Sequence, residues 1–499
     1  FKQKTAYEIR LSLVGSEMCI RDRHTGPAQC AGFPSRVVLL APFWKDAPVN
    51  QSNKILEKRS AYPDQWTLTG IELWSATDKP EFVNIRFEKN RPVSIEPSKN
   101  LGKSTLCLIP AGIDMQVHLR VPGQAHKETA EAGLTASLVG GLAAVVTMPN
   151  TKPVIDSVES LKLGMEQVAP WEKLLGVRAL FTAALSMSQN GEELCDYRSL
   201  TDAGVVAFTD DGVGLASDEW MLEALRRLAE VQRPLFQHAE TPGHGGVLAP
   251  GPAQARLGAK PYSAEPEVSM VRRDLRLLEK VPNAQYHLLH VSCAESVKLI
   301  ADAKKRGLRA TVEVSPHHLW WSTEDIDDKN SSFKMNPPIR TPEDREALQR
   351  ALQDGGIDWV ATDHAPHEPS AKTLDFTKAS FGTTGVETSL SVLLALYAQN
   401  KLSAPRLVET FSTRPAKYLG LASSDGWGAV EKGAPLRAVI VDKSTPWKIW
   451  QADDFHSLSK NSCFIQTRLP EPPVVHFTEA GIFALGRPVR FRDGEFTLT

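Results

Sequence analysis

The chain sets imidazoles and carboxylates at the ends of short apolar runs. Asp114, Gln116, His118 and Arg120 lie along the run that starts at Ile113, and Asp210 and Asp211 follow 205–208. His238 follows 235–237, His290 follows 287–289, and Asp363, His364 and His367 follow 359–361. His118 and Arg120 are two apart, so on a strand they face the same side. Hard and borderline ligands at successive strand ends are what a metal site at the mouth of a parallel barrel requires. A metal held there lowers the pKa of a water and polarises a carbonyl, which is hydrolytic chemistry. The position of Asp363 at a strand terminus suits a ligand that also carries a proton.

The elements that must hold these residues can be counted. Strand-like runs fall near 108–118, 142–148, 177–185, 204–209, 234–238, 284–291, 308–314 and 357–362. Helical signals separate them. After Ser217, Met221, Leu222, Leu225, Leu228 and Ala229 recur at helical spacing. Ser292 with Glu295 reads as a capping box for a helix ending at Gly307. Thr341 with Pro342 opens another, which stops at Gly355-Gly356. Eight strands alternating with helices predict a (β/α)8 TIM-type barrel within the α/β class. Gly140-Gly141 reads as a helix end, so no glycine-rich phosphate loop is expected. Both flanks carry short β-type runs, 36–40 and 83–87 before the barrel and 437–441, 482–485 and 489–491 after it, with a break at Asn90-Arg91-Pro92. They predict a small composite β-domain built from both chain ends. The expected division is 24–109 and 423–499 for that domain and 110–422 for the barrel, with 469–473 as a proline-rich loop.

Composition narrows the function. The 57 basic and 59 acidic residues of the 499 leave a formal charge of −2, which gives no electrostatic reason to expect nucleic acid or an anionic membrane as partner. Cys19, Cys30, Cys107, Cys195, Cys293 and Cys463 contain no C-x-x-C pair and read as reduced thiols of a cytoplasmic protein. No apolar run approaches the ~18–20 residues that span a bilayer. Residues 1–23 resemble translated adapter or vector sequence and are read as a non-native leader, with a genuine tail as the alternative.

Longer ordered pieces point to a family. Pro122-Gly123 through Lys127-Glu128-Thr129, Met148-Pro149-Asn150-Thr151-Lys152-Pro153, Phe208-Thr209-Asp210-Asp211-Gly212, Val314-Ser315-Pro316-His317-His318, Lys334-Met335-Asn336-Pro337-Pro338, the stretch 363–367 and Phe381-Gly382 occur in order. Together they resemble the bacterial class of dihydroorotases, in the amidohydrolase superfamily, over most of 107–422. The resemblance implies a zinc enzyme with one or two ions per chain, acting on dihydroorotate and carbamoyl aspartate in pyrimidine synthesis. It implies a metal-bridging carboxylate at Asp211, His238 and His290 on the second metal, and His118 and Asp363 on the first. Periodicity leaves Asp210 and Asp211 open; the family pattern selects Asp211 and leaves Asp210 structural. Arg120, Asn150, Asn336 and His367 are implied to bind substrate, with Phe381 and Gly382 offering backbone groups to the ring.

One position departs. The family's first strand reads Asp-x-His-x-His-x-Arg, and the first histidine is here Gln116. An amide oxygen is a weak zinc ligand beside imidazole, so Gln116 is expected to be a weak or absent ligand. A metal-impaired structural partner of aspartate carbamoyltransferase is therefore one alternative, and hydrolysis of another cyclic ureide such as allantoin or hydantoin is a second. A bridging aspartate, rather than a carboxylated lysine near the fourth strand, separates the chain from dihydropyrimidinases. A homo-oligomer is expected. His317 and His318 are read as solvent-facing or as supports for the ligands, and His364 as orienting its neighbours. His126, His244, His287, His456 and His476 receive no functional role. The eleven tryptophans, Trp320-Trp321 included, are read as core or subunit contacts.

Overall fold

Eight runs of valine, isoleucine, leucine, alanine and phenylalanine form eight parallel strands that neighbour one another in chain order. The computed structural model describes residues 51–99, 104–373 and 375–498, so the leader 1–23 and the run 36–40 lie outside the described residues. The strands are β1 (Gly112–Val117), β2 (Leu142–Thr147), β3 (Arg178–Ala183), β4 (Ala207–Phe208), β5 (Leu235–Gln237), β6 (Tyr286–Leu288), β7 (Ala310–Val314) and β8 (Trp359–Val360). β1 and β2 are buried along their whole length, as strands covered on both faces must be. The barrel closes where Val117 bridges His364 in parallel register and the His118 N–H donates to the His364 carbonyl at 2.8 Å. The predicted (β/α)8 architecture is the one observed.

The run at 108–118 is two strands, not one. Leu106–Pro110 pairs with Ala438–Asp442 and Gln65–Leu73 in a second sheet, and β1 begins only at Gly112. The change of sheet falls at Ala111, whose N–H goes to the Arg437 carbonyl while that of Gly112 goes to Gly141. No turn residue marks the change, because it is a change of partner.

Two of the helix signals act as expected. Ser217 caps Asp218–Val231, which buries Met221, Ala224, Leu225 and Leu228. Thr341 caps Pro342–Asp354, which stops at Gly355 with φ of 86°. The third does not. Ala294–Lys305 has Cys293 at its N-cap with no side-chain cap bond. The Ser292 hydroxyl is taken by Glu267, Glu295 pairs with Arg272 at 2.8 Å, and the Ala294 N–H donates to Asp344 Oδ1 at 2.9 Å. A carboxylate from the next helix supplies the acceptor that a local cap would otherwise provide.

Strands from both flanks form one ten-stranded sheet. Trp66 stacks on Phe87 at 3.9 Å between centroids, over a core with Ile85, Ile440, Phe477 and Ile482. Each such burial stabilises by about 1.5–3 kcal/mol. The run 83–87 lies inside Glu81–Glu88, and the break at Asn90 is a tight turn with Lys89 at φ of 51°. Pro92 itself lies in the next strand, Arg91–Pro97, where the register shifts. Between Ala438–Asp442 and Val475–Thr478 the chain leaves this sheet. Its segment around 455–464 bonds instead to the barrel loops holding Glu128, Ala365 and Thr384. No helix among the described residues is long and apolar enough to cross a membrane. Cys107, Cys195, Cys293 and Cys463 are free and buried.

Candidate active site

The barrel brings the ligand candidates to its C-terminal mouth. His118 follows β1, Asp211 lies three residues beyond β4, His238 follows β5, His290 lies two beyond β6, and Asp363 lies three beyond β8. Arg120, His290 and Asp363 have φ of 60°, 32° and 49°. Left-handed backbone at a non-glycine residue costs on the order of 1–3 kcal/mol, and here three such residues cluster around one cavity.

Asp211, His238 and His290 offer ligand atoms that all lie within 4.8 Å of one another, and all three residues are buried. His238 Nδ1 and His290 Nε2 are 2.9 Å apart and lie 3.6 and 3.7 Å from Asp211 Oδ1. On the other side, His118 Nε2 lies 3.0 Å from Asp363 Oδ1 and 3.3 Å from Asp211 Oδ2. Its Nδ1 is 2.8 Å from Asn150 Oδ1, an oxygen that can only accept, so Nδ1 carries a proton. Nε2 faces two carboxylates, a position where either a proton or a metal cation can sit between nitrogen and oxygen. His238 Nε2 lies 3.3 Å from Glu240 Oε2, which leaves Nδ1 free to face Asp211. Imidazole nitrogens and carboxylate oxygens converging in this way form a donor set for a divalent metal.

The electrostatics agree. Burial pushes the Asp211 carboxyl up, but contacts with His238 and His290 and the charge of His118 outweigh it and hold the group well below the usual range. Burial likewise opposes the charged form of His238, yet Asp211 and Glu240 push its pKa up to about 10. The His238 shift expresses the negative charge of Asp211 and Glu240, which a bound cation would also meet. Gln116 is fully buried; its amide nitrogen donates to Asp211 Oδ1 at 3.3 Å, and Oε1 is buried with no partner. The nitrogen, rather than the oxygen expected as a weak ligand, meets the carboxylate.

A cavity of about 260 Å³ opens beside these groups, lined also by Arg120, Asn150, Asn336, His367, Phe381 and Gly382. Arg120 donates to the Pro366 carbonyl at 3.2 Å and to His367 Nε2 at 3.4 Å. Burial lowers the Arg120 pKa only to about 10, so the guanidinium stays charged at neutral pH. Burial, with Arg120, Lys127 and Lys372 nearby, pushes His367 down to about 2 and keeps it neutral. With Nε2 accepting, His367 Nδ1 carries the proton, and it is buried without a partner, as is Asn336 Oδ1. Each unmet buried group costs about 1–3 kcal/mol until a polar ligand meets it.

Gly382 plays a narrower part than expected. Its N–H donates to the Lys334 carbonyl at 2.9 Å, and its carbonyl accepts from Lys372 Nζ at 2.9 Å and Asn461 Nδ2 at 3.2 Å. These backbone groups are therefore engaged within the protein. What Gly382 supplies is room: at φ of 131°, a Cβ would sit 2.9 Å from Ala365 Cβ and 3.0 Å from His367 Cδ2.

Asp210 turns away from the cavity and accepts from the N–H groups of Leu185 and Ser186 at 2.8 and 3.1 Å. His317 and His318 are buried, not solvent-facing, and His318 Nε2 donates to the Pro337 carbonyl at 3.1 Å. His364 Nδ1 accepts from the Gly385 N–H at 3.2 Å. Three residues that sequence reasoning missed support the cavity: Glu240, which also accepts from Asn336 Nδ2 at 2.7 Å, Lys372 and Asn461. Only Glu240 carried a signal, since it lies two residues from His238 and so shares its face on an extended chain. Larger hollows of about 470 and 740 Å³ lie elsewhere, the latter beside the N-terminal ends of β7 and β8. In it Arg414 is already paired with Asp358 and Glu409 at 2.7 and 3.3 Å.

Comparison with known proteins places the chain. Residues 105–296 match the family described as dihydro-orotase-like. A dihydroorotase from Staphylococcus epidermidis is 38% identical over 371 residues, covering 74% of this chain and 85% of that protein. One from Geobacillus thermodenitrificans is 38% identical over 373 residues, with 74% and 85% covered. Among solved structures, the L-hydantoinase (dihydropyrimidinase) from Arthrobacter aurescens superposes with a TM-score of 0.72 at 22% identity, covering 86% of this chain and 99% of that one. The dihydropyrimidinase from Brevibacillus agri NCHU1002 gives 0.68 at 20% identity, covering 85% and 97%. At such identities the structural likeness speaks to fold alone.

Proposed function

The chain belongs to the dihydroorotase family, and on that premise we propose that it catalyses the reversible hydrolysis of L-dihydroorotate to N-carbamoyl-L-aspartate. The observation that carries this reading is one small cavity in which a guanidinium, unmet amide and imidazole groups, and a cluster of histidines and carboxylates face the same space. His118, Asp211, His238, His290 and Asp363 would hold zinc, one or two ions per chain. When bound, zinc supplies a Lewis acid and a water of lowered pKa.

The chain's own residues do the rest. Arg120 is suited to grip the substrate carboxylate bidentately, and it lies against His367, so the two would hold one end of the ring. Asn150 and Asn336 present amides on either side of the cavity. Asp363 takes the proton from the attacking water as oxygen bonds to the ring carbonyl carbon. It returns that proton to the ring nitrogen as the carbon–nitrogen bond breaks, leaving a ureido NH2 and a carboxylic acid that releases the second proton of the water to solvent. Without this proton the nitrogen is a poor leaving group. In reverse, the same carboxyl protonates the departing oxygen, so cyclisation is favoured by acid.

Gln116 in place of the family's first histidine favours a second reading, in which metal binding is impaired and the protein is a structural partner of aspartate carbamoyltransferase. The same residue predicts unequal metal positions if the enzyme is active. A cytoplasmic homo-oligomer completes the proposal; light scattering with and without aspartate carbamoyltransferase tests both associations. The function is tested with purified, zinc-loaded protein assayed in both directions. Dihydroorotate hydrolysis at mildly alkaline pH and carbamoyl aspartate cyclisation at acidic pH are expected. Turnover of allantoin or hydantoin with neither of these would overturn the substrate, and no turnover at all would favour the structural partner.

A further inference from the structure

The substrate side of the cavity is formed by two loops. One follows β8 and carries Ala365, Pro366 and His367; the other carries Phe381, Gly382 and Thr383. Neither is held by regular secondary structure around these residues; they meet directly in an isolated bridge from His364 to Thr383, which includes the Ala365 N–H to the Thr383 carbonyl at 2.9 Å, and in the Gly385 N–H to His364 Nδ1 bond at 3.2 Å. What joins them further is a residue from the C-terminal segment. Asn461 is buried, and every polar group of its side chain is used. Oδ1 accepts from the His367 N–H at 3.0 Å, while Nδ2 donates to the Ala365 carbonyl at 3.0 Å and the Gly382 carbonyl at 3.2 Å. Its own carbonyl accepts from the Thr384 N–H at 3.1 Å and the Thr383 hydroxyl at 3.2 Å.

The neighbours reinforce the arrangement. Lys372 Nζ reaches the same Gly382 carbonyl at 2.9 Å and the Ser380 carbonyl at 2.7 Å. The Cys463 N–H donates to the Thr383 hydroxyl at 2.9 Å. One amide thus reads both loops at once, and a side chain with the same outline but different polarity could not.

We propose that Asn461 is a positioning residue for the substrate, its amide fixing the spacing between His367 and the Phe381-Gly382 loop and so the width of the ring-binding end of the cavity. That consequence for turnover rests on the cyclic-amide hydrolase reading above; the clamp itself does not.

Asn461→Asp is the decisive variant. It keeps size and the acceptor for His367 but loses both donated bonds and sets a carboxylate against two carbonyl oxygens. A residue that only fills space would tolerate this change better than Asn461→Ala; a clamp would be hurt at least as much by it. In the full-length zinc-loaded protein, KM for dihydroorotate should rise by about 10–100-fold in Asn461→Asp, with kcat within about threefold and zinc content unchanged, as expected when the fit of the ring-binding end is lost equally for ground state and transition state. Amide hydrogen exchange should accelerate at Ala365 and Gly382, whose loops lose the donated bonds, while β1 to β8 stay protected, and at His367 as well in Asn461→Ala, which also removes its acceptor. Lys372→Met removes the second donor to Gly382 and should move KM in the same direction by a smaller factor, which keeps the idea testable if Asn461 variants do not fold. An unchanged KM with unchanged exchange in Asn461→Asp would overturn the proposal, as would a milder effect than in Asn461→Ala. If the wild type hydrolyses no dihydroorotate, the function reading falls and exchange at Ala365 and Gly382 alone decides the clamp.

Discussion

Two histidine–carboxylate pairs in this barrel share one separation and have opposite surroundings. His118 Nε2 and Asp363 Oδ1 are 3.0 Å apart at the mouth, and His287 Nε2 and Glu313 Oε2 are 3.0 Å apart inside the barrel. Inside, both imidazole nitrogens and one carboxyl oxygen have partners, while Glu313 Oε1 is buried without one. His287 Nδ1 meets Thr311 Oγ1 at 2.9 Å, and Trp359 Nε1 donates to the same Glu313 oxygen at 2.8 Å. Burial pushes Glu313 up to about 8 and His287 down to about 3, so an uncharged acid faces an uncharged imidazole. At the mouth, a second carboxylate lies 3.3 Å from the same His118 nitrogen, and a cavity gives access. The pair distance therefore says nothing about chemistry. Excess carboxylate and a way in distinguish the pair proposed to act on substrate from the enclosed one.

The same change, acid to amide, should separate the two pairs most sharply. Asp363→Asn is expected to keep the fold and lower kcat by about 100-fold or more, because it removes the proton carrier and a ligand charge at nearly constant volume. Retention of more than about a tenth of the wild-type rate would make the two pairs equivalent and the assigned role wrong.

A smaller effect is expected at Gln116. Gln116→His would place an imidazole next to Asp211, and zinc titration of the apo-protein should then show the weaker of two positions tightening by about 10–100-fold, the range seen when groups supporting a metal are altered. Two equally tight positions in the wild type, or no gain on introducing histidine, would show that Gln116 does not limit binding.

The smallest effect on turnover belongs to the interior pair. Glu313→Gln mimics the protonated acid, so kcat should stay within about threefold. Its signature lies in stability against pH. A carboxyl whose folded pKa is raised contributes stability that is full below its unfolded pKa and is lost as pH rises through the folded value near 8. Denaturant unfolding of the wild type should therefore weaken by more than about 1 kcal/mol between pH 5 and 8 through this group, and the Glu313→Gln profile should be flatter. Parallel profiles would mean that Glu313 is not held as the neutral acid.

The sequence by itself determined the barrel and the places on it where chemistry could occur. Strand runs buried on both faces are written as continuous apolar segments, and His118, Asp211, His238, His290 and Asp363 could be found because each sits at the end of one. These are local facts, set by the period of a strand and the length of a run, except that the choice of Asp211 over Asp210 came from the family pattern and not from periodicity. What the tertiary structure alone decided is which partner each group meets. Ala111 changes sheets without a turn signal because pairing there is chosen by Ala438–Asp442, far along the chain. Ser292 forgoes its cap because Glu267 and Asp344 arrive from other helices. Gln116 presents its nitrogen rather than its oxygen because Asp211, 95 residues away, is an acceptor. Asn461 reaches His367 from 94 residues away and Gly382 from 79. Hydrogen bonds act over about 3 Å in space and are indifferent to separation along the chain, so no local spacing could announce them.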